Sequence, residues 1–261
     1  LTAPPFPLAL LAGPHRTGTE LKHLADTLGI PLIEEPEGAV LLLRFMPEGL
    51  ELAKPGDPLL PGSLRAEFTA RDFRRRLLHP GRELLVQAAR VRGGGQPLVV
   101  DATAGLGRDG FLLAAAGYRV RMIEANPVVA ALLADGLARA RCIAGLAAIA
   151  ARIDLIVGDA REQLPALVEL PEVVYLDPMF PERTKSALVR QELRLLQLLD
   201  QKNCDDADLL RVALAVAAKK VVVKRPLKAP PLAAVPPGST RRGKAVRFDV
   251  YAGKGKKEVS G

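Results

Sequence analysis

The residues with the clearest chemical potential in this 261-residue chain follow the apolar run 172–176: Asp177-Pro178-Met179-Phe180-Pro181 joins a carboxylate, a proline-set turn and an aromatic ring. Such a set suits an exocyclic base amine, a poor nucleophile because its lone pair is delocalised into the ring. The Asp177 carboxylate and a main-chain carbonyl fixed near Pro178 can accept its two N–H bonds and aim the nitrogen. Phe180 can stack on a base drawn out of its helix. Asp-Pro also ends strands and starts ordinary turns, and that plainer role stands beside the chemical one.

Three further clusters fit a nucleoside cofactor. Between a strand-like and a helix-like run lies the glycine-rich stretch from Asp101 to Gly110, DATAGLGRDG. Its glycines admit close backbone approach, and a helix start adds a partial positive field. Gly105, Gly107 and Gly110 also spell GxGxxG, so a nicotinamide dinucleotide fits the same residues. Glu124, seventeen residues beyond Gly107, ends the next strand-like run, where a carboxylate can accept both hydroxyls of a ribose. Asp159-Ala160 follows the third run; Asp159 there serves equally as acceptor for an adenine amino group or as a helix N-cap. Neither Cys142 nor Cys204 falls in these clusters, which disfavours a thiolate-dependent methylation of pyrimidine carbon. With His15, His23 and His79 they form no ligand pattern, so no metal is expected.

These groups need a scaffold, and the chain from Pro97 onward alternates short apolar runs with helical patterns. Strands are expected at 97–101, 119–123, 153–157, 172–176, 219–223 and 247–251, and helices at 109–116, 127–140, 161–168 and 185–199. That order predicts an α/β fold, a doubly wound parallel sheet of Rossmann-like type. Only 4% of residues are aromatic, so its core must be built from Leu, Val, Ile and Ala. Upstream, 20–28 and 82–91 read as helices and 39–45 as a strand, whereas Pro47, Pro55, Pro58 and Pro61 mark 46–61 as turns. The expected division is a small N-terminal α+β subdomain with a basic linker, 1–78, and a catalytic domain, 79–261. The apolar run 8–11 is too short, and too closely flanked by prolines, for a membrane span or leader; a cytoplasmic, reducing location is expected.

Charge points to a polyanionic partner. The formal net charge is +8, and all of that excess lies from Lys224 onward, the remainder being balanced. Within the remainder, Arg65, Arg71, Arg74, Arg75 and Arg76 form a second basic cluster. Two such surfaces suit nucleic acid, with Arg183, Lys185, Lys224 and Arg225 added near the site, although solvated charge runs account for them equally.

The runs VVDATAGLGRDGFLLAAAGYRVRMIEANPVVAALLADGLAR, VVYLDPMFPERTKSALVRQELRLLQ and VVVKRPLKAPPLA, with RFDVYAG, resemble the ribosomal RNA small-subunit methyltransferase J family over roughly residues 45 to 253. The resemblance implies a class I methyltransferase fold and methyl transfer from S-adenosyl-L-methionine to the N2 amine of a guanine in 16S ribosomal RNA, free or in the small ribosomal subunit. It implies cofactor contacts at Arg108, Asp109, Glu124, Ala125 and Asp177, with Asp159 and Ala160 at the third contact point. Asp177, Pro178 and Phe180 are the expected catalytic set. On the residues alone, a nicotinamide-dependent oxidoreductase and a non-catalytic RNA-binding or ribosome assembly protein remain as alternatives.

Overall fold

The computed structural model describes residues 8–36, 41–58, 60–93, 95–178, 194–199 and 206–254. Among them, residues up to Glu67, Asn126–Arg139 and 194–199 group as one compact unit, and Phe68–Ala125, 140–178 and 206–254 as a second. The sequence pattern had placed a single break after residue 78.

The first unit is built on a sheet of β1 (Leu8–Leu11), β2 (Leu32–Ile33), β3 (Leu41–Met46), β4 (Gly49–Ala53) and β5 (Ser63–Leu64), ordered β2-β1-β3-β4-β5. Helix α1 (Gly18–Leu28) starts at a capping box, Thr17 and Glu20 bonding each other's backbone, and stops at Gly29 in the left-handed region. The stretch expected to be turns therefore contains β4, all five residues of which are buried. Its Glu51 is matched by Arg44 and by the Ser63 hydroxyl. In the same unit, Asp135 and Arg139 accept from Leu50 N–H and donate to the Ala66 carbonyl, respectively.

Among its described residues the second unit carries seven strands: β6 (Leu98–Asp101), β7 (Arg119–Glu124), β8 (Ile153–Val157), β9 (Val173–Leu176), β10 (Lys220–Pro226), β11 (Ser239–Arg242) and β12 (Val246–Ala252). Their order is β11-β12-β10-β9-β6-β7-β8. The five from β10 to β8 are parallel, and β12 and β11 close one edge antiparallel. The central strands β6 and β9, and Val221 to Val223 of β10, are buried apolar runs because both faces are covered there. Val100, Val174, Leu176, Val221 and Val223 pack with Leu209, Leu210 and Ala213 of a helix, Asp206–Val216, on one side. At about 1.5–3 kcal/mol for each fully buried Val or Leu, this layer is a main source of stability. The helix was not expected, nor was β11.

Among the described residues the remaining α-helices are α2 (Arg71–Leu77), α3 (Leu84–Ala89), α4 (Arg108–Ala115), α5 (Pro127–Arg141), α6 (Ala147–Ala150), α7 (Ala160–Gln163), α8 (194–199) and α9, the helix Asp206–Val216. The expected helix 185–199 lies mostly outside the described residues. The expected 161–168 is a single turn, α7, because Pro165 follows closely.

The chain runs from β6 outward to β7 and β8, then returns to the other side of β6 as β9. In open parallel sheets a ligand crevice forms beyond the carboxyl ends where the order reverses, here between β6 and β9.

Candidate functional site

Period-two alternation places Asp101, Tyr175, Asp177 and Lys224 on one face at the carboxyl end of this sheet. Asp101 pairs in register with Tyr175, and Tyr175 with Val222; Asp177 and Lys224 each stand two residues further along their own chains. Beyond β6 the backbone turns through Gly105 and Gly107, with φ of 53° and 76°, into α4. A side chain in that conformation would be strained, and nothing lies within 4 Å of where a Cβ of Gly105 would sit. At Gly110 a Cβ would come within 2.5 Å of Met122 Cε, so this glycine lets α4 lie close against the sheet.

The loop is tied to its neighbours through its own backbone. Gly105 N–H donates to Glu124 Oε2 at 2.7 Å, setting the β7 carboxylate beside the open space over the loop. Thr103 Oγ1 accepts the main-chain N–H of Asp177 at 2.6 Å, and Thr103 N–H donates to Asp101 Oδ1. The start of the Asp177-Pro178 turn is thus fastened to the glycine-rich loop.

A charge cluster occupies the centre. The Lys224 ammonium donates to Asp177 Oδ2 at 2.7 Å and to Asp109 Oδ2 at 2.9 Å. Tyr175 Oη donates to the same Asp109 oxygen at 2.7 Å. Burial works against the ammonium, but the two carboxylates outweigh it and raise its pKa above the lysine value. Burial also opposes ionisation of Asp109, yet Lys224, the Tyr175 hydroxyl and the Arg76 charge hold it below the ordinary carboxylate value. Asp101, fully buried and near the charge of Asp109, is pushed up to about 8, so near pH 7 it is mostly neutral. Burial, with the charges of Asp109, Asp177 and Asp101, raises Tyr175 well above the ordinary phenol value and keeps it a donor.

Several expected site residues are therefore together. Arg108 and Asp109 open α4, Glu124 ends β7 with Ala125 directly after it, and Asp177 and the buried Pro178 follow β9. Ala125 is exposed and offers a ligand only its backbone and a methyl group. Asp159 caps α7 through Arg161 N–H and also pairs with the Arg161 guanidinium; Ala160 is buried behind it. Phe180, Arg183 and Lys185 lie outside the described residues. Arg225, expected among the phosphate contacts, is instead buried and donates twice to the Pro230 carbonyl. Lys224, expected beside it, is taken by Asp109 and Asp177. Residue types alone did not single out Asp101, Thr103 or Tyr175; the alternation in VVYLD, which puts Tyr175 and Asp177 on one face, was the available signal for Tyr175.

Among the described residues no group of three or more His, Cys, Asp or Glu is placed to hold a metal, and no helix is long and apolar enough to cross a membrane. A side-chain-free loop with open space beside it, a carboxylate at the next strand end and a helix start fit a nucleoside cofactor.

Comparison with known proteins agrees with that fit. Residues 24–253 match a family model described as SAM-dependent methyltransferase. A protein of Thioalkalivibrio sulfidiphilus named ribosomal RNA small subunit methyltransferase J is 47% identical over 232 residues, 87% of this chain and 91% of that one. Its namesake in Pseudomonas paraeruginosa is 44% identical over 233 residues, 88% of each. The crystal structure of a SAM-dependent methyltransferase from Neisseria gonorrhoeae superposes with a TM-score of 0.73 at 32% identity, covering 97% of this chain and 99% of that one. These matches support neither the oxidoreductase nor the non-catalytic alternative.

Proposed function

Since the chain belongs to the SAM-dependent methyltransferase family that contains ribosomal RNA small subunit methyltransferase J, we propose that it methylates the exocyclic N2 amine of one guanine in 16S ribosomal RNA, in the cytoplasm. S-adenosyl-L-methionine is the methyl donor; bound, it supplies an electrophilic sulfonium methyl group. Gly105 to Asp109, Glu124 and Ala125 would hold it, with Asp159 and Ala160 bordering its base.

The observation that carries this reading is Asp177, placed directly after β9 at the switch point and fastened by Thr103 to the glycine-rich loop. Its carboxylate accepts one N–H of the amine, and a main-chain carbonyl near Pro178 accepts the other. The nitrogen lone pair is thereby aimed, and holding both reactants in register contributes up to about 7–11 kcal/mol in ideal cases. Phe180 stacks on the base. Exposed Arg71, Arg74, Arg75, Arg241, Arg242 and Lys244 provide phosphate contacts. Arg65 contributes less, being within 4 Å of Glu48, Glu51 and Glu67.

The test is transfer of labelled methyl to small-subunit ribosomal RNA lacking its native methyl groups, followed by nucleoside analysis. N2-methylguanosine is expected; label in another nucleoside, or none, overturns the assignment.

A further inference from the structure

Lys224 reaches the site from β10, the strand next to β9, and its ammonium lies between two carboxylates that belong to different parts of the proposed chemistry. Asp109 opens α4 in the cofactor loop, and Asp177 opens the turn that receives the amine. One Nζ touches both, at 2.9 and 2.7 Å. Its partners are otherwise anchored: Asp109 by Tyr175 Oη, and Asp177 through its main chain by Thr103. We infer that Lys224 is the positioning residue of the site, holding the Asp177 carboxylate in place as an ionised acceptor and fixing it to the cofactor loop through Asp109. The inference rests on the reading of Asp177 as the amine's acceptor.

Charge makes the role specific. The groups facing Lys224 and its partners are Asp101 from β6, Asp109 from α4, Tyr175 from β9, Asp177 after it and Arg76 from α2. Arg76, the other cation of the set, is itself bound bidentately to Glu83. Without Lys224, the Asp109 and Asp177 carboxylates would lose their shared cation beside neutral Asp101 and the Tyr175 hydroxyl, and the pair would relieve its repulsion by taking up a proton. A protonated Asp177 presents O–H where the amine needs an acceptor. A carboxylate has about four lone-pair sites, so the bond to Lys224 leaves acceptor capacity for the amine. A phosphate contact, the plainer role for a lysine near an RNA site, would require this ammonium to leave both carboxylates.

Lys224→Met and Lys224→Arg in the full chain separate these roles. Methyl transfer is measured at saturating adenosylmethionine and RNA from pH 5.5 to 9, with the salt dependence of RNA binding measured alongside. For Lys224→Met, the acid limb of kcat is expected to move up by about one pH unit or more, a loss that reaches about tenfold below both limbs and recovers toward pH 9. Lys224→Arg keeps the limb near its wild-type position, and neither variant changes the salt slope. Should Lys224→Met fail to fold, Asp109→Asn, which leaves Asp177 as the ammonium's one anionic partner, is expected to move the limb to lower pH. A wild-type limb in Lys224→Met, a loss equal at every pH, a shallower salt slope, or an upward or absent shift in Asp109→Asn overturns the inference. A wild type that transfers no methyl at any pH overturns the reading of Asp177, and this inference with it; an active wild type with any of those outcomes overturns the inference alone.

Discussion

Two neighbouring cations on β10 have opposite surroundings. Lys224 points to the face where Asp109 and Asp177 converge at the strand ends, whereas Arg225 points to the other. Arg225 is only 2% exposed and donates to the Pro230 carbonyl; across from it Arg247, 7% exposed, pairs with Asp249, 1% exposed, and donates to the carbonyls of Pro226 and Leu227. On that face the named partners are main-chain carbonyls and a carboxylate two residues along the same strand, so the charges hold the loop after β10 to the hairpin. On the Lys224 face the partners come from a helix start and the turn after β9, the acids outnumber the cations, and one acid is kept neutral by burial. A buried charge matched by the backbone is architecture; a charge shared among crowded carboxylates at strand ends is, on the proposed reading, placed for chemistry.

The largest expected effect that sharpens this contrast is on the architectural face. Asp249→Ala leaves the Arg247 guanidinium buried without its carboxylate and should cost about 3–5 kcal/mol of stability. Denaturant unfolding measures it, with adenosylmethionine affinity per folded molecule unchanged; a loss within about 0.5 kcal/mol, the scale of an ordinary surface substitution, would erase the distinction.

Next is Asp101 on the site face. Its pKa is raised from 3.8 to about 8, so the stability associated with its neutral form is fully present below pH 3.8 and lost as pH rises through 8. Asp101→Asn cannot titrate, so its stability relative to wild type should rise steadily between pH 4 and 8 and level off above that. A difference that is constant with pH would show that Asp101 is not held neutral.

The smallest effect on the folded molecule is expected from Arg74→Ala with Arg75→Ala, both exposed on α2. Melting should hardly change, while the slope of log K against log salt for RNA binding becomes shallower by about 0.7–0.9 for each phosphate contact removed. An unchanged slope would make this helix a solvated face.

Much of the second unit was legible because its parallel strands carry short apolar runs, most of them closed by glycine-rich or acidic turns. The expected runs at 97–101, 119–123 and 153–157 are β6, β7 and β8 to within a residue at either end. In the first unit the prolines misled: Pro47 and Pro55 flank β4 and do not interrupt it, and the short run 8–11 pairs in parallel with β2 and β3. The site was legible where one loop carries its own motif, as in DATAGLGRDG and DPMFP. It was not legible for Lys224, whose partners stand 47 and 115 positions away and meet it through strand register and helix placement. A count of charge along the chain groups Lys224 with Arg225; alternation along the strand separates them.

The central claim is that Asp177 orients the accepting amine. Its most direct test is single-turnover methyl transfer by Asp177→Ala at saturating adenosylmethionine, on small-subunit ribosomal RNA lacking its native methyl groups, with unfolding measured in parallel. A loss of at least about a hundredfold in rate, in a variant as stable as the wild type, is predicted. Turnover near the wild-type rate would contradict it.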